Sequence, residues 1–174
     1  MRRRALLSRN EEGIVLVLCL VTLVILTLIG VSMTTTSRLE VEISGNDKTY
    51  KQAFYAAEVS LTAGETVVNS LLSRADLNDG ITPGRYVKGT QPAWDQLVWD
   101  DAHSAVLSPV PSGLSKVYAP PRYTIEERTF RRDSLTVGIG VPTGTYLFTV
   151  KAHGTGANKA AEVLLESIYA KHYN

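Results

Sequence analysis

Cysteine is almost missing from this 174-residue chain: Cys19 is the only one. An intramolecular disulfide is therefore excluded, and so is a Cys/His zinc cluster. His103, His153 and His172 stand far apart in sequence and read as surface or strand-end residues, not ligands. Charge of one sign is missing too. The formal net charge is +1, which leaves no clustered basic face for nucleic acid. Outside the N-terminal residues the densest basic group is Arg128, Arg131 and Arg132, offset by Glu126, Glu127 and Asp133, a solvated turn. A Gly-x-Ser-x-Gly nucleophile elbow is absent. The glycine-rich stretch Gly138 to Gly144 has the wrong spacing for a dinucleotide loop, contains Pro142 and precedes a strand. Glu126 and Glu127 fall on opposite faces of any strand, and Asp100 and Asp101 are neighbours without an evident partner. No catalytic constellation emerges, so neither an enzyme nor a cofactor nor a metal is expected.

Charge is also absent from one long run, and there the absence is informative. Gly13 and the 24 residues after it, Ile14 to Ser37, carry none. About 20 apolar residues at roughly 1.5 Å per residue cross a hydrocarbon core about 30 Å thick. Ahead of the run stand Arg2, Arg3, Arg4 and Arg9 against Glu11 and Glu12. That excess of arginine orients the N-terminal side toward the cytoplasm. A conventional secretory signal is not expected, because no small-residue cleavage pattern follows Met33, where threonines lead through Ser37 into Arg38. A cut after Gly13 removes a net charge of +2 and leaves the remaining side chains at −1.

Helical periodicity continues past the span. Tyr50, Phe54, Ala57, Leu61, Gly64, Val68 and Leu71 recur in steps of four and three, one stripe of an amphipathic helix. Asn78, Asp79, Gly80 and then Pro83 end the pattern. Gly30 and Gly45 are the candidate bend points, since glycine costs about 1 kcal/mol against alanine inside a helix. A break into two helices near Gly45 is the alternative. Beyond Gly80, Trp94 to Asp101 reads as a short helical turn, and Ser108 to Ser115 as a loop. Strands are expected at Arg122–Arg128, Tyr146–His153 and Glu162–Ala170, with Gly154 to Asn158 as hairpin loop. The expected fold is α+β: a long N-terminal helix, membrane-spanning in its first half and amphipathic in its second, packed on a small antiparallel sheet. The expected organisation is a leader at 1–13, a span at 14–37, the amphipathic continuation at 38–75 and a globular domain at 76–174.

These features resemble type IV pilin-like proteins, and among them the PilX-type minor pilins. The basic leader ending in Gly13 before an apolar helix is similar to the class III signal of that family. Ser44-Gly45-Asn46 resembles its short motif after the span, and Ala56-Ala57-Glu58 its helix segment. The closing strands, Tyr146 to Gly156 and Val163 to Ala170, are similar to the last two of PilX-type chains. Gly80 to Pro120 shows no resemblance, and this stretch, with Trp94 to Asp101, is the expected partner-facing surface.

The resemblance implies a structural subunit. A prepilin peptidase would cut between Gly13 and Ile14 on the cytoplasmic face, and the new Ile14 amine would be N-methylated. An inner-membrane assembly platform would then move the helix from the membrane into a filament with the major pilin and other minor pilins. The domain would be periplasmic before assembly and extracellular afterwards. Family members usually carry glutamate at the fifth mature position; here that residue is Leu18. In related secretion systems its absence accompanies a place at the filament tip, which implies a priming or tip subunit, with a large tip adhesin as a further partner. Two other readings share the span: a single-pass anchor with an uncleaved signal and an outward binding domain, and a pseudopilin of a type II secretion system. An aromatic adhesive surface of Trp94, Trp99, Tyr118 and Tyr123 is weighed against core packing of the same rings, which is the favoured reading.

Overall fold

The structure, a computed structural model, describes residues 8–71, 82–133 and 143–173. It divides into two compact units, Met1–Gly45 and Asn46–Asn174. Helix α1 runs Ser8–Ser70, stays helical through Ser44 to Asp47, and so has no break at Gly45. The expected stop at Asn78 to Gly80 lies outside the described residues, as does most of the Gly138–Gly144 loop.

In the first unit every large apolar side chain from Ile14 to Met33 is exposed. By length and composition this part of the helix is able to cross a membrane. Its hydroxyl residues suit that solvent because each one bonded here turns back on its own helix. Thr22 donates to the Cys19 carbonyl at 2.9 Å, Thr27 to Val24 at 2.7 Å and Ser32 to Leu28 at 2.9 Å. Thr34, bonded to the Gly30 carbonyl at 2.8 Å, and Thr36, bonded to Ser32 at 3.0 Å, do the same. A polar group satisfied internally costs far less in hydrocarbon than one left bare.

The second unit is built on a mixed sheet. β3 (Arg122–Arg132), β4 (Gly144–Thr155) and β5 (Glu162–Tyr173) form the expected antiparallel meander, each longer than the periodicity alone indicates. Two short strands add to the far edge of β3: β1 (Arg85–Tyr86), which runs parallel to it, and β2 (Ala105–Val106), which runs antiparallel. Both reach β3 because Gly84 turns at a φ of 79°, where a Cβ would lie 2.5 Å from the Ala105 nitrogen. That left-handed conformation and that crowding leave glycine as the residue that fits. Trp94–Gln96 is a turn, not a helix, and Ser112–Leu114 forms one 3-10 turn.

Each face of the sheet has its own cover. The C-terminal half of α1 packs on one face, and the contact tapers. Toward its start the buried helix residues are Ala53, Ala56, Ala57 and Ser60, all 0% exposed. A Cβ on Gly154 would come within 2.3 Å of both the Ala53 carbonyl oxygen and the Ala57 nitrogen, and one on Gly156 within 2.3 Å of the Thr49 carbonyl. Backbone lies directly on backbone there. Toward its end, Val68 and Leu71 meet Ile125, Phe148 and Val150, with Tyr146 and Tyr173 at the margin. Phe130 and Tyr146 stack at 4.2 Å between centroids, and Tyr173 meets Tyr146 edge-on at 5.4 Å. The stripe expected from sequence is thus right at Ala57, Gly64, Val68 and Leu71, half-buried at Leu61, and wrong at Tyr50 and Phe54, which remain 57% and 41% exposed. Helix and sheet approach too closely at that end for aromatic rings.

The C-terminus of α1 has no basic residue in its own last turn, and β5 supplies one. The Lys171 ammonium donates to the carbonyls of Val68 (3.2 Å), Asn69 (2.6 Å) and Leu71. These carbonyls lie in the last turn, where a helix runs out of backbone donors (the Val68 oxygen also accepts from the Leu71 nitrogen at 3.3 Å), and a cation is favoured there by the helix dipole. Lys171→Met keeps the stem but loses this cap. We expect a loss of about 1–3 kcal/mol in chemical denaturation of the detergent-solubilised chain; an unchanged midpoint would show that water caps the helix as well.

The opposite face is covered by residues 82–121. Glu126 accepts from the backbone nitrogens of Gly89 (2.8 Å) and Gln91 (3.3 Å), while Glu127 is buried on the helix side. The two glutamates therefore do face opposite ways. Thr155 ties Ala119 through both its nitrogen (2.9 Å) and its carbonyl (3.0 Å).

Candidate functional site

The residues that sequence marks for function lie along α1, in two environments. At Gly13, Gly30 and Gly45 nothing lies within 4 Å of where a Cβ would stand. Packing inside this chain does not require glycine at any of the three. Ile14 is 68% and Leu18 63% exposed. Leu18 adds apolar surface, and no charge stands within the run. Leu39, Val41 and Ile43 continue the exposed apolar series.

Within the second unit the motif residues separate. Asn46 and Glu58 are exposed, whereas Ala56 and Ala57 are at 0%. The alanines face the sheet and their small size lets β4 approach; Glu58 faces outward. Tyr50, Phe54 and Tyr55 stand beside this buried face, exposed, with Phe54 and Tyr55 edge-on at 6.2 Å. Asp47 and Lys51 pair at 2.7 Å across one exposed turn, where solvent screens the attraction.

The stretch Trp94 to Asp101 turns its rings inward. Trp99 stacks on His153 at 5.0 Å, and Trp94 lies over the Lys151 ammonium at 4.8 Å with its indole nitrogen donating to Glu166 at 3.1 Å. Half-buried Tyr123 packs against the core, half-buried Trp94 and Trp99 pack on the sheet face at Lys151 and His153, and Tyr118 is 60% exposed. His103 and His172 are surface residues, but His153 is buried at 7% near the end of β4. Burial pushes the His153 pKa below its ordinary value; the nearby Glu162 carboxylate opposes this, and Arg122 adds to it. Among the described residues no group of His, Cys, Asp and Glu is placed to hold a metal ion.

Two placements escaped the sequence reading. Gly154, expected in a hairpin loop, belongs to β4; its alternation with Ala152 and Gly156 is the available signal, since three small residues at period two mark a close approach. Lys171 lies one residue past the expected strand end, and nothing local shows that it caps a helix 100 residues away.

Two family comparisons cover this geometry. The PilX N-terminal family matches residues 12–62, and the C-terminal family of the type IV pilus assembly protein PilX matches residues 44–171. The chain belongs to the PilX family of type IV pilus assembly proteins. The second match runs through Gly80 to Pro120, so the middle stretch, expected to lie outside the resemblance, falls within the family match. No curated protein and no solved structure matches the chain at a significant level. A PilX-family protein is a minor pilin of type IV pilus assembly, and its function lies in contacts with other pilins. The long exposed apolar helix fits a membrane anchor and a filament subunit alike.

Proposed function

We propose that this chain is a PilX-type minor pilin that primes assembly of a type IV pilus and occupies its tip. In this reading a prepilin peptidase removes residues 1–13, Ile14 becomes the N-methylated mature terminus, and the domain stands in the periplasm until assembly carries it outside the cell. The observation that carries the reading is the edge at Gly13: the apolar run begins at the next residue, and its large side chains from Ile14 to Met33 are exposed. Ile14 to Met33 needs an apolar environment in the membrane and again in the filament, where neighbouring helices replace lipid. Gly30 and Gly45, open on their surroundings, leave room for those neighbours or for bending.

Leu18 supports the tip position. A subunit lacking a carboxylate at its fifth mature residue has nothing to pair with the terminal amine of a subunit ahead of it. It still offers the Ile14 amine to the next one. An apolar residue is also cheaper than an unpaired charge in that setting. The partners are then the major pilin, other minor pilins, the peptidase, the inner-membrane assembly platform and a large adhesin at the tip.

Intact mass and N-terminal sequencing of the membrane-extracted protein test the processing: a chain starting at methylated Ile14 is expected, and a retained Met1–Gly13 in cells with active peptidase contradicts it. Position is tested by labelling the native and Leu18→Glu chains in assembled pili. Native label is expected at filament ends only; native label along the whole length refutes the tip assignment, and Leu18→Glu pili that assemble normally with label still confined to the ends remove Leu18 as its support.

A further inference from the structure

The buried histidine under Trp99 lies on the sheet face away from the helix, and its surroundings are unusual. His153 Nε2 lies 2.8 Å from a Glu162 oxygen, while Nδ1 is buried with no hydrogen-bond partner. That pattern fits the neutral ring with its proton on Nε2 donating to Glu162, leaving a bare lone pair on Nδ1. The Trp99 ring lies parallel to the imidazole, 17° between planes. Trp99 belongs to a segment fastened at three points to neighbouring positions of this sheet face. Trp94 covers Lys151 and bonds Glu166, Trp99 covers His153, and Asp101 pairs with Arg122 at 2.6 Å, with Ser104 beside it at 3.3 Å.

We propose that residues 94–104 form a strap held closed over the sheet by neutral His153 and released when that ring is protonated in mild acid. A second ring proton appears on Nδ1, where no acceptor waits, and a buried donor without a partner is costly. The new charge also arrives in cationic company. Arg122 is the direct cross-strand neighbour of His153 on β3, and Lys151, itself 8% exposed, stands two residues away on the same face of β4. Glu162 on β5, half-exposed and 2.8 Å from Nε2, attracts the charged ring and opposes release, but burial outweighs it. Glu166 on β5 accepts from Trp94, Asp101 holds Arg122, and Asp100 is paired with His103 at 2.7 Å. Water reaches Nδ1 when Trp99 lifts, so opening the strap relieves the penalty.

The sign follows. The closed state holds its proton less tightly than the open state, so closure is fully favoured above the open-state pKa of about 6.5 and weakens as pH falls below it. Placed outside the membrane, the domain meets the pH of the medium, although the test is independent of location. Trp94 and Trp99 are the only tryptophans of the chain, so fluorescence of the full-length protein in detergent reports on the strap. The native chain is expected to show one transition with its midpoint below about pH 6.5, absent in His153→Gln. Glutamine keeps a donor for Glu162 without titrating. Hydrogen exchange of the native chain, corrected for intrinsic rates, is expected to rise selectively in residues 94–104, by up to about tenfold per pH unit within that window. This second measurement stands if the variant does not fold. No native transition, the same midpoint in a folded His153→Gln, or exchange that rises equally across β3 to β5 overturns the proposal.

Discussion

Replacing Gly154 by alanine is expected to cost about 3 kcal/mol or more, although only a methyl group is added. The added carbon would sit 2.3 Å from the Ala53 carbonyl oxygen and 2.3 Å from the Ala57 nitrogen, with the Ala56 carbonyl carbon at 2.9 Å. All three are main-chain atoms of one helix, so no rotamer change relieves the overlap. Either α1 moves off β4 along its small-residue face, or the strand buckles. In a thermal scan the loss corresponds to a melting point lower by roughly 10 °C. Gly113→Ala is the control, because nothing lies within 4 Å of its added carbon, and a change within about 0.5 kcal/mol is expected there. A Gly154→Ala chain as stable as the control would mean that helix and sheet do not touch at this end.

At the wide end of the same interface the opposite change is the damaging one. Phe148 is fully buried among Val68, Leu71, Ile125 and Val150, with the Tyr146 ring centroid 6.2 Å away. Phe148→Ala is expected to lose about 3–5 kcal/mol, part in lost transfer energy and part in the cavity left between helix and sheet. Denaturant unfolding of the full-length chain in detergent measures it. A loss under about 1 kcal/mol would show that the two layers collapse together to refill the space. Taken together, the two substitutions probe the taper. One end forbids a methyl, the other depends on a whole ring, and both lie on strand β4 six residues apart.

That taper explains where the periodicity misleads. A stripe of apolar residues in steps of three and four assigns Tyr50 and Phe54 to the core with Leu61, Val68 and Leu71. The rule assumes that burial selects bulk. Where Gly154 and Gly156 bring the main chains together, burial selects smallness, and Ala53, Ala56 and Ser60 take the inner face. The rings of Tyr50 and Phe54 are displaced to the flank. Packing of Trp94 and Trp99 against the chain is legible in sequence, but not its place or its partners: the rings are half-buried over a lysine and a histidine, with Glu162 and Glu166 one strand away.

By itself, the sequence determined the apolar run from Ile14, the arginine excess ahead of it, the residues that resemble the PilX family, and the three long strands. Those are local or compositional properties: solvent preference along one helix, charge next to it, and alternation at period two. Only the tertiary structure decided which alanines and glycines are close contacts, that Lys171 caps a helix ending a hundred residues earlier, and that the middle stretch closes over His153. These depend on pairs of residues distant in the chain, where the distance between surfaces sets whether a site needs bulk, smallness, a cation or a neutral ring.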